Sequence, residues 1–121
     1  MTKMQPRILI AEEEFLIAID AEYLIKSAFD CSISLVRPEQ LDGQDDEQLK
    51  TAALCLLDVP AEPASAVARA ERLLALGVQV LLTTVSEFHC RGVPGLPDVQ
   101  IVTKPYDAEK LLSAVRGMLS R

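Results

Sequence analysis

The sequence predicts a doubly wound α/β fold, with parallel strands covered by helices on both faces. Two observations carry this. Short apolar runs alternate with longer stretches of helical periodicity, the pattern of a parallel sheet with crossover helices. At least three of the apolar runs end in a polar or charged residue, so chemistry-bearing side chains gather at the carboxyl ends of the strands. The key run is Leu54-Cys-Leu-Leu-Asp58, unbroken in apolarity until its closing carboxylate.

Taken in order, Arg7–Ala11 is short, β-branched and apolar on both faces, a strand covered on two sides. Glu12, Glu13 and Glu14 follow at once. A helix is expected over 15–29, with Ile17, Ala21, Leu24 and Ala28 at helical spacing and Asp20, Glu22 and Lys26 at polar positions. Ser32–Val36 alternates and is short and polar enough for a sheet edge. Residues 37–50 read as a short solvated helix or helix-like loop. Pro38 suits a first turn, Leu41 and Leu49 give a thin apolar stripe, and Gly43 with the run Asp45-Asp46-Glu47 weakens it.

The third strand is expected over 53–57, followed by a loop with two prolines. A helix over 64–76 places Val67, Ala70 and Leu74 on one face and stops at Gly77. The fourth strand is expected over 79–83. Residues 88–97 hold two glycines and two prolines, so any helix there is short. The fifth strand is expected over 99–102. Asp107 suits the N-cap of a last helix that buries Ala108, Leu111, Leu112, Val115 and Leu119. The order reads β-α five times over, a flavodoxin-like (βα)5 arrangement with strand order 2-1-3-4-5. Its crevice lies beside the first and third strands, so Glu12, Glu13 and Asp58 are expected at one rim.

The 121 residues fit one domain spanning 1–121, and half of them are apolar, enough for one core. The formal net charge of -6, without a basic stripe, speaks against direct nucleic-acid binding. It suits a protein whose partners are proteins or cations. No run approaches the ~18 apolar residues of a membrane span, and the polar start lacks a signal peptide's apolar core. Three widely spaced cysteines, Cys31, Cys55 and Cys90, read as reduced thiols of a cytoplasmic protein. His89, the only histidine, reads as a surface residue in a loop.

Like charges gathered at one rim raise pKa values or call for a cation. A hard ion such as Mg²⁺, bound by one or two carboxylates with water and phosphate oxygens, is the economical solution. Lys104 would add a permanent positive charge on the same edge, and the Thr84 hydroxyl could bond a phosphate oxygen. The set fits phosphoryl transfer to a carboxylate, where positioning and charge neutralisation do most of the work. The plainer readings are a strand cap for Asp58, helix-dipole carboxylates for Glu12 to Glu14, and a solvated surface lysine for Lys104.

Four motifs, Ile8-Leu-Ile-Ala-Glu-Glu-Glu14, Cys55-Leu-Leu-Asp58, Val80-Leu-Leu-Thr-Thr84 and Thr103-Lys-Pro-Tyr106, occur in order at strand ends. In this the chain resembles the response regulator receiver domain of bacterial two-component signalling, over roughly residues 7–119. The resemblance implies that Asp58 takes a phosphoryl group from a histidine kinase or phosphotransfer protein. It implies Mg²⁺ held by Glu12, Glu13, Asp58 and the backbone carbonyl of Pro60, with Thr84 and Lys104 on the phosphoryl group. It also implies a Lys104-Pro105 bond that is often cis, and an output surface over residues 88–119 that meets a downstream protein or a second copy. No catalytic output is expected beyond the acceptor itself.

The loop after Asp58, Val-Pro-Ala-Glu-Pro, lacks the family's frequent Met-Pro and Gly signals, and two single positions also depart from the family pattern. Glu13 stands where Asp is usual, and Ile101 where an aromatic switch residue is usual. They motivate the alternative of a pseudo-receiver, a protein-binding module independent of phosphate. A small enzyme or nucleotide-binding protein is a third class. The Ala-Glu-Glu-Glu turn after the first strand, with no glycine-rich phosphate cradle, speaks against it.

Overall fold

The apolar runs assemble as one five-stranded parallel sheet in the order β2-β1-β3-β4-β5, with β1 Arg7–Ala11, β2 Ser32–Val36, β3 Leu54–Asp58, β4 Gln79–Thr84 and β5 Ile101–Thr103. This is a computed structural model; it describes residues 5–86, 89 and 92–120. The strand order matches the expectation, and β1 and β2 have the expected bounds. Strand β3 starts one residue later than expected and takes in Asp58, β4 extends to Thr84, and β5 is shifted toward Lys104.

Period-two alternation sends each central strand's side chains to opposite faces. Ile8, Ile10, Leu54, Leu56 and Leu81 face α1 Phe15–Ala28 and α4 Ala108–Leu119. Leu9, Ala11, Cys55, Leu57, Val80 and Leu82 face α3 Ala64–Ala75 and the segment 37–50. Full burial on both faces explains why β3 reads as a continuous apolar run. Burial pushes the Cys55 thiol up to about 12, so it is an inert part of the core. Cys31 is also a buried free thiol; Cys90 lies outside the described residues.

The helices pack one position away from parts of their expected faces. In α1 the buried residues are Ala18, Ala21 and Ile25, while Ile17 and Leu24 are half-buried and Ala28 is exposed. Two alanines let this helix lie close to the sheet, and the larger neighbours flank the contact line. In α3 the buried set is Ala66, Ala70 and Leu73, with Val67 partly buried and Leu74 exposed. In α4 Leu111 and Val115 are buried as expected, joined by Ala114 and Met118; Leu112 and Leu119 are partly buried. Ala108 is exposed because it opens the first turn, where Asp107 accepts the Lys110 N–H at 3.2 Å.

Segment 37–50 is more ordered than its polar sequence suggests. It forms a 3-10 helix, Pro38–Gly43, and a single-turn helix α2, Asp46–Leu49, with Leu41 and Leu49 buried. Two arginines of α3 hold it. Arg72 donates to the carbonyls of Leu41 and Gln44 at 3.0 and 2.6 Å and to Asp46 at 3.0 Å. Arg69 grips Asp42 with two bonds of 3.1 and 2.9 Å.

Between β4 and β5 the described residues hold turns and an isolated antiparallel bridge, Val93 with Leu96, where regular alternation would place a fourth long crossover helix. Gly92 and Gly95 adopt φ of 131° and 93° there, a backbone region open to glycine. Phe88, where a short helix was expected to begin, lies outside the described residues. No helix among the described residues is long and apolar enough to cross a membrane.

Candidate phosphoryl-acceptor site

Parallel pairing brings the carboxyl ends of β1, β3, β4 and β5 to one rim. The Glu12 N–H continues β1 by bonding the Val36 carbonyl at 3.0 Å. Asp58 stands beside Thr83, and Thr84 beside Thr103. The Lys104 N–H then bonds the Thr84 carbonyl at 2.8 Å, which seats Lys104 at the same edge. The Lys104-Pro105 peptide is cis.

The Lys104 ammonium donates to Glu12 Oε1 and to Asp58 Oδ1, each at 2.7 Å. The side chains of Lys104, Glu12 and Asp58 are 4%, 2% and 15% exposed. These are short charge-assisted bonds in a nearly dry setting, where an ammonium between two carboxylates relieves their mutual repulsion. The other Glu12 oxygen accepts the Glu14 N–H at 3.0 Å, so Glu12 also satisfies an N–H at the entry to α1. That is the helix-terminal role weighed for the acidic run, here filled by the residue that also binds Lys104.

The two threonines divide their tasks. Thr84 is fully buried, and its Oγ1 accepts the Ser86 N–H at 2.9 Å. Thr83 is joined by a side-chain hydrogen bond to Tyr106. Burial pushes the Tyr106 phenol up, the Thr83 bond opposes that shift, and Glu12, Asp58 and Asp20 add to it through their charge. Tyr106 thus sits within the field of the acidic rim.

Of the other expected ligands, Glu13 is exposed and lines a cavity of about 290 Å³ with Arg37 and Gln40. Pro60 is exposed in the loop after β3. Among the described residues no three His, Cys, Asp or Glu side chains form a group able to hold a metal. The chemistry still suits a hard cation. The donors are all oxygen, Lys104 offsets only one of three carboxylate charges, and Mg²⁺ is commonly held by one or two carboxylates.

Two features escaped the sequence reading. Tyr106 lay inside a quoted motif but was given no role, and only its partnership with Thr83 reveals one. His89 is buried, contrary to the expected surface position, and its Nδ1 has no hydrogen-bond partner among the described residues. A loop-like sequence carries no signal for that burial.

No protein-family model matches the sequence, and a search of the curated proteins gave no match. Solved structures do match in shape. A response regulator receiver protein from Sinorhizobium medicae aligns at 20% identity and TM-score 0.76, over 96% of this chain and 95% of that one. The fold is that of a response regulator receiver domain. The DrrB receiver domain in its BeF3-activated form matches the same fold at 19% identity and TM-score 0.74, over 98% of this chain and all of the other. A Burkholderia pseudomallei protein described as pilus assembly-related matches at 19% identity and TM-score 0.79, over 99% and 95%. In this receiver fold the Glu12, Asp58 and Lys104 cluster lies at the carboxyl edge of the sheet.

Proposed function

We propose that the chain is a phosphoryl-accepting receiver, with Asp58 as the acceptor. The observation that carries this is the Lys104 ammonium, held 2.7 Å from both Glu12 and Asp58 at the carboxyl edge of the sheet. A carboxylate buried this deeply is expensive unless paired, and one partly reachable oxygen pair is what an acceptor needs. The donor is a phosphohistidine on a histidine kinase or phosphotransfer protein. An Asp58 oxygen attacks phosphorus, the P–N bond breaks, and the leaving imidazole takes up a proton. Lys104 moves its charge from the carboxylate toward the phosphoryl oxygens. Thr84, tied to Lys104 through its carbonyl, offers its hydroxyl in exchange for the Ser86 N–H.

Mg²⁺ belongs to this proposal. Glu12, Glu13, Asp58 and the Pro60 carbonyl would hold it, with Glu12 also keeping Lys104 in place. When bound, it would neutralise charge on the transferring phosphoryl group. Output would pass through the surface around β5 and α4 to a downstream protein, and the setting is cytoplasmic. A cleft of about 510 Å³ between those elements, lined by Val102, Tyr106, Glu109 and Lys110, offers a place for it.

The test is incubation with a small phosphoramidate donor and Mg²⁺, followed by intact mass. Wild type should gain one acid-labile phosphoryl group and Asp58→Asn none. Equal labelling of both would refute the assignment. A second reading, a phosphate-independent binding module, draws on the exposed Glu13 and on Ile101 at the usual aromatic position. Wild type that takes no label with any donor, yet binds a partner without Mg²⁺, would favour it.

A further inference from the structure

Side chains along a strand alternate between the two faces of the sheet, so the face of each rim residue follows from the residue two positions before it. Ile10, Leu56, Leu81 and Val102 all pack on the face covered by α1 and α4. Two positions on from them stand Glu12, Asp58, Thr83 and Lys104. Alternation sends these four to one face. The bonds from Lys104 to Glu12 and Asp58, each at 2.7 Å, agree with that for three of them. Leu82 packs on the opposite face, so Thr84 follows it toward α3. There its Oγ1 accepts the Ser86 N–H at 2.9 Å.

Thr83 is the register partner of Asp58 on the adjacent strand, and the Val59 N–H bonds the Thr83 carbonyl at 2.8 Å, so the pairing continues past Asp58. Neighbouring strands lie ~4.8 Å apart, which makes Thr83 the β4 residue closest to the acceptor. Lys104 comes from the far side of β4. To reach Asp58 its stem crosses β4 on this same face, over Thr83. That crossing accounts for a threonine only 1% exposed at the open end of the sheet.

The Thr83 side chain is bonded to Tyr106. A hydroxyl has one proton to donate and two lone pairs to accept with. Thr83 can therefore take the Tyr106 O–H and still donate to an oxygen carried by Asp58. Burial keeps the proton on the Tyr106 phenol, which suits it to donate. Donors joined in a chain polarise one another, so the last hydroxyl becomes a better donor. We propose that Thr83 is a further phosphoryl ligand of the acceptor centre, its hydroxyl oriented by Tyr106 and donating to a phosphoryl oxygen on Asp58. This rests on the acceptor reading and adds to it a hydroxyl on the face of Asp58 itself, beside that of Thr84.

The test compares Thr83→Val, which keeps the branched shape without the hydroxyl, with Thr83→Ser, which keeps the hydroxyl. With phosphoramidate and Mg²⁺, followed by intact mass, Thr83→Val should label Asp58 about tenfold more slowly than wild type, the loss expected for one hydrogen bond to a charged group. Thr83→Ser should recover most of the rate, and Tyr106→Phe should fall between. Thr83→Ala serves as a second variant without the hydroxyl. Beryllofluoride titration in the presence of Mg²⁺, followed by fluorine NMR, supplies a readout that lost packing alone would not move selectively. Thr83→Val should weaken beryllofluoride binding about tenfold and leave Mg²⁺ affinity unchanged. Labelling of Thr83→Val at the wild-type rate overturns the inference, and so does an equal loss in Thr83→Val and Thr83→Ser. A wild type that takes no label overturns the acceptor reading and this inference with it, so the two failures are told apart.

Discussion

Glu12, Asp58 and Lys104 are buried and bonded to one another, whereas Glu13 and Pro60, each within two residues of that cluster in the chain, are exposed. Two neighbouring sets of groups on one rim are therefore held to very different degrees. The difference follows from the strands. Glu12 still bonds the β2 backbone, Asp58 is the last residue of β3, and Lys104 is tied to Thr84. Glu13 and Pro60 lie beyond the ladders. Asp58 and the Lys104 ammonium are thus preorganised by the fold, whereas Glu13 and Pro60 are left exposed at the rim.

The comparison is broken most severely by Lys104→Ala. It leaves two buried carboxylates without their cation, and unfolding in urea should show a loss of about 3–5 kcal/mol. Glu12→Gln should cost less, about 1–3 kcal/mol by the same assay, because Lys104 keeps Asp58 and one charged bond is weakened. Tyr106→Phe retains the packed ring but removes the bond to Thr83, for about 1 kcal/mol.

The Tyr106 variant has a pH signature as well. Burial first, and the nearby carboxylates in addition, hold the phenol above its ordinary value of about 10. The folded state therefore keeps a proton that the unfolded chain gives up. This part of the stability is complete below about pH 10 and is lost as pH rises through the folded value. Ultraviolet titration should show Tyr106 ionising only above the ordinary tyrosine range. Tyr106→Phe should flatten the alkaline fall in stability.

The smallest effect is expected at Glu13. Glu13→Gln should leave unfolding within about 0.5 kcal/mol, as for an exposed side chain, while Mg²⁺ titration followed by NMR weakens. A large stability loss at Glu13 would erase the distinction between the two sets.

Much of this was legible in the sequence because it rests on strands. The unbroken run ending at Asp58 marked a strand buried on both faces, and the sheet order followed from alternation with helices. Asp58 and Lys104 could be placed together from strand ends alone. Helix faces were less legible. In α1 the contact line runs through Ala18, where periodicity favoured the bulkier Ile17, because close packing on a sheet selects small residues. Segment 37–50 looked solvated since its stability comes from Arg69 and Arg72, nearly thirty residues downstream. The separation of Glu12 from Glu13 was also hidden. Adjacent carboxylates read alike in sequence, and only the continuation of β1 buries the first of them.

The most direct measurement is an amide NMR titration with Mg²⁺ and then beryllofluoride, a mimic of an aspartyl phosphate. If the buried cluster is the acceptor centre, beryllofluoride in the presence of Mg²⁺ should shift Glu12, Asp58, Thr84 and Lys104 saturably as Lys104 exchanges Asp58 for the mimic. Asp58→Asn should abolish those shifts. No response from these residues in the folded wild-type chain would contradict the account.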